Sequence, residues 1–484
     1  MSKTDDSIKR SWNKSWNALW PMRWSKDGQG IKLPRLMQAK RSWPRFVKRC
    51  PVTIEALSKL KWIEWEALQR PTSREWFGKT PVPICAYVGA FVLKLEAGLP
   101  TIGHLRRHLV QHPGLIWALG FPLYGATRQH NCGFDPNKSL PSRQHLGYML
   151  RQLDNSLLQK LLDAQVKQLQ QWFPEGFGET ISLDTKHIIA WAKENNPKAY
   201  IKEGRFDKTR QPDGDADCKL GCKRRHNKVV PTKEGKSASQ VVSIGEFYWG
   251  YASGIVVTKV PEYGEFVLAE LTQTFDKGDV TYFFPLMAET ERRLGFRPKY
   301  GAFDAAYDAF YVYDHFHSDD HDGFAAVPYS GRGGKKREFD ADGLPLCEAK
   351  LGMPLKSTLM DRTKAIIPFQ RGRHVCPLVY PAPNGQTCPI NHRKWADGGC
   401  KTSLANTVGA RIRHQLDRDG EAYKSVFKQR TASERINSQA FNLGIERPKL
   451  RNERAIINQN TLIYLVINSR TMQRVHDKRT KANK

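Results

Sequence analysis

The sequence predicts a mixed α/β protein with a mixed sheet at its centre, a helical region in front of it and a β-rich insertion behind. Three observations predict it. Residues 51–170 carry apolar positions at helical spacing. Residues 175–330 alternate short β-rich runs with a helical run. Hydrophobic residues make up 40% and aromatic residues 11% of 484, enough for a sizeable core and too much for a disordered chain. At about 150 residues per domain, this length suggests three domains or one large domain with insertions.

The charge points to a partner. Lys and Arg number 77 against 48 Asp and Glu, a net charge of +29. So positive a chain favours a polyanion, of which nucleic acid is the commonest. No long basic amphipathic helix argues for a membrane surface instead. No run reaches the ~18 apolar residues of a membrane span; the best, Ile84–Leu93 and Leu462–Ile467, are short. The polar start MSKTDDSIKR predicts no signal peptide. Nine scattered cysteines are an odd count and predict a reducing, cytoplasmic setting rather than a disulfide framework.

Along the chain, residues 1–172 read as a basic, mostly helical nucleic-acid-binding region. The first 50 residues hold 13 Lys/Arg and three acids. Trp12, Trp16, Trp20 and Trp24 recur every four residues there, either a stripe that docks on the domain or an aromatic face for bases. Pro21 ends a helix before Trp24. Helices are expected over Thr53–Leu68, Val82–Ala97 and Ser142–Trp172, the last with a leucine stripe for the core. Pro100–His112 and the turn after it are a candidate helix-turn-helix. Residues 173–330 form the first part of an α/β core. Strands are expected at Thr180–Ala192, Gln240–Ile244, Phe247–Val257, Glu265–Leu271 and Tyr300–Asp304, and a helix at Val280–Leu294. Residues 201–240 read as a polar, basic loop. Residues 331–410 are Gly-, Pro- and base-rich and form the insertion. Residues 411–469 return to the core, with a helix over Gly420–Leu443, and 470–484 read as a frayed basic tail.

Three carboxylates do not fit their surroundings. Asp184 lies in an apolar strand, Asp304 ends another, and Glu434 sits in a basic helix. A half-buried carboxylate costs several kcal/mol unless it is paired or metal-bound. Separate ion pairs are one explanation. Convergence on one or two divalent cations is the other, and oxygen donors suit Mg²⁺ or Mn²⁺. Tyr423, Phe427, Arg430, Glu434, Asn437 and Phe441 step by four and three, which places them on one helical face. A face that mixes aromatic, basic, acidic and amide groups fits a site better than a plain core. Arg430 suits a phosphate, which it would grip with two N–H groups.

These residues resemble the DDE transposases of bacterial insertion sequences, whose catalytic core is ribonuclease-H-like. The motifs are Ile181–Lys186 (ISLDTK), Gly301–Tyr307 (GAFDAAY) and Phe427–Asn437 (FKQRTASERIN), and the resemblance spans roughly residues 100–470. Asp215–Lys223 (DADCKLGCK) loosely resembles a polar motif between the first two strands of that family. The family's helix signature, Tyr-x2-Arg-x3-Glu-x6-Lys, falls on Phe427, Arg430, Glu434 and Phe441. Arg and Glu match; Phe427 lacks the hydroxyl and Phe441 the cation, so Lys428, Arg435 or Lys449 would have to supply those phosphate contacts. The resemblance implies that Asp184, Asp304 and Glu434 are the catalytic, metal-binding triad for two Mg²⁺ or Mn²⁺ ions. It implies double-stranded DNA as partner, both element ends and target, a homodimer on that DNA, and work in a prokaryotic cytoplasm. Arg430, Arg435, Lys428, Lys186, Arg224 and Arg225 are the expected DNA contacts. Trp395 either packs the insertion or stacks on a flipped base.

Other groups are ambiguous. Cys218, Cys222 and His226 offer an incomplete zinc set, and Cys376, Cys388, His392 and Cys400 a wider one, with Cys347 as a spare; buried thiols are the plainer explanation of both. His187 reads as structural. Tyr307 and Asp308 stand where they could shape the metal site. A nuclease without strand transfer, a non-catalytic DNA-binding relic and an RNA-binding protein remain the alternatives to a transposase.

Overall fold

The computed structural model describes residues 34–68, 82–125, 130–196, 204–229, 241–317, 323–330, 336–362 and 367–482; the side chains of 224–229 and 241–245 are outside that description. The tryptophans at 12–24 lie outside it too. The protein is mixed α/β, as its sequence patterning predicts.

The front is a helical bundle: α1 (Pro51–Leu60), α2 (Ile84–Glu96), α3 (Ile102–Gln111), α4 (Pro113–Leu119), α5 (Arg143–Gln152) and α6 (Asn155–Trp172). The expected single helix over 142–172 is two. Leu153 is extended, and the Asp154 side chain accepts the Ser156 amide at 3.1 Å, which caps a new helix. The candidate helix-turn-helix does not present a reading helix. Gly114–Leu119 of α4 are all buried, and a Cβ on Gly114 would stand 2.6 Å from Thr53 Oγ1. A helix wedged that tightly into a core has no face for a groove.

The central sheet runs β2–β3–β1–β5–β6, with β4 also paired to β3. Its strands are β1 (Thr180–Ile189), β2 (Lys219–Val229), β3 (Val241–Val260), β4 (Gly264–Thr274), β5 (Tyr300–Ala302) and β6 (Phe324–Ala326). β1, β2 and β4 pair antiparallel with β3, while β1–β5 and β5–β6 are parallel, so the sheet is mixed. Two expected strands fuse into the 20-residue β3. Part of the expected 201–240 loop is β2, because β3 extends far enough to pair its basic, polar backbone. α7 (Phe283–Leu294) packs on β3 and β4, and left-handed Gly295 (φ 77°) ends it. α8 (Phe310–Phe316) follows β5.

The insertion forms a small antiparallel sheet, β7 (Leu355–Asp361), β8 (Phe369–Val375) and β9 (Lys401–Ala405). α9 (Val408–Gln415) leads back to the core. The expected helix over 420–443 is interrupted: α10 (Glu421–Phe427), a 3-10 turn at Lys428–Arg430, then α11 (Thr431–Asn442). The expected frayed tail is instead the end of α12 (Glu453–Ala482), 30 residues long. α12 runs through the core, and Met472 and Val475 of the supposed tail are fully buried. Its amides serve as clamps. Asn468 Oδ1 accepts the Val267 amide at 2.8 Å and its Nδ2 donates to the Val267 carbonyl at 2.9 Å. Asn458 donates to the carbonyls of Leu150 and Leu153, so α12 ties the bundle to the sheet. No described helix is long and apolar enough to cross a membrane.

Candidate active site

β1 carries Asp184 out of the apolar core, because Ile181 and Leu183 are buried while Asp184 to His187 are half-buried. Asp184 Oδ1 accepts the Thr185 amide at 2.8 Å, and Oδ2 accepts Asn437 Nδ2 at 2.9 Å. β5 ends at Ala302, and Asp304 caps the 3-10 turn Ala305–Tyr307 by accepting the Ala306 amide at 2.9 Å. α11 packs on β1 and β3 and presents Glu434. Asp184, Asp304 and Glu434 all line one open cleft of about 1230 Å³. Exposed Lys223, Lys277, Arg447 and Phe441 line it as well, with Lys186 and Asn437.

Sequence reasoning missed three further carboxylates of the cleft, Glu246, Glu446 and Asp279, of which Asp279 stands with the aspartates. Asp279 lines the same cleft and accepts Thr185 Oγ1–H at 2.8 Å. The turn that carries it lies close on β3, because Gly254 leaves room for Tyr282; a Cβ there would be 2.5 Å from the ring. The Tyr282 hydroxyl donates to the Ala252 carbonyl. No apolar pattern surrounds Asp279 in the sequence, so only its fold neighbours reveal it.

Burial pushes the Asp184 carboxyl up to about 6, with Asp304 and Asp279 adding to the rise and the Thr185 and Asn437 hydrogen bonds opposing it. Asp304 is raised too, first by burial and then by Asp279, against the Ala306 amide and Arg430. The fully buried Tyr307 is raised well above the usual tyrosine range by burial and these same three aspartates, and its hydroxyl has no partner among the described residues. Burial and Lys223 lower His187 to about 4, so it is neutral at pH 7.

Glu434 stands apart from the aspartates. Its carboxylate pairs with Arg430 Nη1 at 2.8 Å and is half exposed. Among the described residues, no group of three His, Cys, Asp or Glu side chains is close enough to hold one ion. The donor chemistry nonetheless fits a hard cation: carboxylates that raise one another's pKa, beside a buried Asn437 Oδ1 that has no partner among the described residues. Completing the set requires Glu434 to exchange Arg430 for the ion.

The remaining expected residues divide. The helical face survives the 3-10 break: Tyr423 stacks on Phe427 at 5.6 Å, and Arg430 lies over Phe427 at 5.8 Å. Lys428 is exposed. Lys186 pairs with Glu446 at 2.9 Å and lies over Phe441. Arg435 is turned to β4, where it pairs with Glu265 at 2.7 Å. Lys449 lies over Trp191. Arg224 and Arg225 sit on β2, with side chains outside the description. Trp395 is half-buried in the insertion. Asp308 does not line the cleft: Arg413 grips both its oxygens at 2.9 and 2.7 Å, and Ser330 and Tyr313 donate to it. Cys218 is buried in the core and Cys222 is exposed at the cleft, so these two do not converge. No family model matches the chain, and no curated protein matches it.

Proposed function

We propose that the chain is a DDE-type transposase with a ribonuclease-H-like core, which binds the ends of a mobile DNA element and cuts and joins DNA. One observation carries the reading: Asp184, Asp304 and Glu434, from three separate elements, line a single cleft that Lys186, Lys223, Lys277 and Arg447 also line. Asp184, Asp304 and Glu434 would hold Mg²⁺ or Mn²⁺, which supply activation of the attacking oxygen and charge neutralisation at the phosphate. The chain's own groups do the rest. Asn437 and the Thr185 amide hold the two Asp184 oxygens in place. Arg430, once Glu434 turns away, has its guanidinium open to a phosphate. Lys223, Lys277 and Arg447 offer the phosphodiester backbone a cationic surface. On this reading the protein acts as a homodimer on paired ends in a prokaryotic cytoplasm.

The test supplies the DNA that flanks the gene as a labelled duplex with Mg²⁺ or Mn²⁺. Wild type is compared with Glu434→Gln, and both nicked and joined products are followed. Joined products that vanish in the variant support transposition. Nicks without joining point to a nuclease. Binding with no cleavage by either protein overturns the enzyme and leaves a DNA-binding relic.

A further inference from the structure

The insertion has little to hold it together. Its buried apolar side chains are few, among them Met353, Val375, Leu378, Leu404, Ala405 and Ala410, and strand β7 leaves Leu359 50% and Met360 47% exposed. β units with so small a core are commonly stapled by a disulfide or a metal. The insertion contains Cys347, Cys376, Cys388 and Cys400, and all of them are unbridged thiols.

Three of these thiols, Cys347, Cys376 and Cys400, are neighbours. Cys347 precedes β7, Cys376 follows β8 and Cys400 precedes β9, yet Cys376 and Cys347 lie near enough to Cys400 to join burial in raising its thiol. Gly399 permits the approach: at φ 82°, a Cβ there would lie 2.7 Å from Cys376 Cβ and 3.3 Å from its sulfur. Cys347 and Cys388 each open the same tight turn. Lys350 N–H donates to the Cys347 carbonyl at 2.9 Å, and Asn391 N–H to the Cys388 carbonyl at 3.0 Å. Both turns end on a left-handed residue, Lys350 at φ 59° and Asn391 at φ 43°. Such residues are uncommon away from glycine and mark backbones that their surroundings enforce. The His392 amide donates to Cys388 Sγ at 3.5 Å.

We propose that Cys347, Cys376, Cys388 and Cys400 are the four ligands of a structural zinc ion that staples the insertion. Four thiolates are a closed, soft, tetrahedral donor set, which suits zinc and leaves no open position for catalysis. Binding releases the thiol protons to solvent, so affinity rises with pH. Among the described residues no group of three yet encloses one point, so binding would have to draw the four sulfurs in. Loss of their protons would set the thiolates repelling one another, which a cation relieves. His392 drops out of the expected set because its Nδ1 accepts the Lys394 amide at 3.2 Å; Cys347 takes its place.

The proposal is independent of the DNA chemistry. Full-length protein purified without chelator should carry about one zinc per chain by elemental analysis. Cobalt in its place should give the near-ultraviolet thiolate-to-metal absorption of a four-sulfur site. Cys347→Ser, Cys376→Ser, Cys388→Ser and Cys400→Ser should each lower the zinc content, while His392→Ala and Cys222→Ser should keep it. Where a serine variant aggregates, the cobalt spectrum of the wild type still decides. Zinc content well below one with no thiolate–cobalt band overturns the site. So does retention of zinc in the Cys347 and Cys400 variants, or disulfides among these cysteines by mass spectrometry. Zinc loss in His392→Ala but not Cys388→Ser overturns the four-cysteine set.

Discussion

Replacing Asp184 with Asn should stabilise the protein in the absence of divalent cations, and only at neutral or alkaline pH. The Asp184 carboxyl lies at about 6 in the fold, raised first by burial and then by Asp304 and Asp279, against ~3.9 in an unfolded chain. The folded protein therefore keeps a proton that the unfolded chain has lost. Its contribution is fully favourable below about pH 4, declines as pH rises through about 6, and leaves the whole penalty above that. Two pKa steps correspond to about 3 kcal/mol. Asparagine keeps the shape and the acceptor for the Thr185 amide. Its new N–H group finds a partner if Asn437 turns its amide, because Asn437 Oδ1 has none. The expected gain is about 2–3 kcal/mol at pH 8, a rise of about 3 °C in Tm for a chain this long, with no gain near pH 4. Thermal unfolding in chelator from pH 5 to 8 measures it. Added Mg²⁺ should then stabilise the wild type and not the variant. A gain that does not change with pH, or a variant less stable than wild type at pH 8, would refute the burial argument.

Glu434→Gln should lower DNA cleavage by at least about 100-fold while stability moves by less than about 0.5 kcal/mol, since the side chain is half exposed; gel assays and urea melts separate the two. Asn468→Ala should cost about 2–3 kcal/mol in urea, because both Val267 backbone groups lose their partner. Duplex binding should weaken steeply with salt, and the Lys223→Ala, Lys277→Ala double variant should reduce the slope of log K against log salt by about 2 in fluorescence anisotropy. Trp65→Ala should destabilise by about 3–5 kcal/mol, because the ring is 1% exposed among bundle residues.

Much of the cleft was legible from local pattern. Asp184 and Asp304 stood out because a carboxylate beside an apolar strand is costly, and Glu434 because helical spacing set it beside Arg430. Asp279 was not legible: it acts through Thr185 and two distant aspartates, and nothing local marks it. The ion pair that holds Glu434 to Arg430 follows i,i+4 spacing, but whether Glu434 faces ion or guanidinium is a matter of charge in the assembled cleft. Arg435 shows the same limit, since its partner Glu265 is 170 residues away.

The sequence by itself determined the mixed α/β class, the strand that carries Asp184, the short strand that ends before Asp304, the helix that carries Glu434, and the cationic character of the chain. These follow from periodicity and composition, which act over a few residues. The tertiary structure alone decided that the helix-turn-helix candidate is buried, that a basic loop is strand β2, and that the C-terminal segment is a core helix. Residues 458–469 of α12 are buried on every side, and their amides bond to strands and helices far away in the chain. A helical stretch with no solvent face has no amphipathic signal, so its polar residues look like surface until their partners are in place.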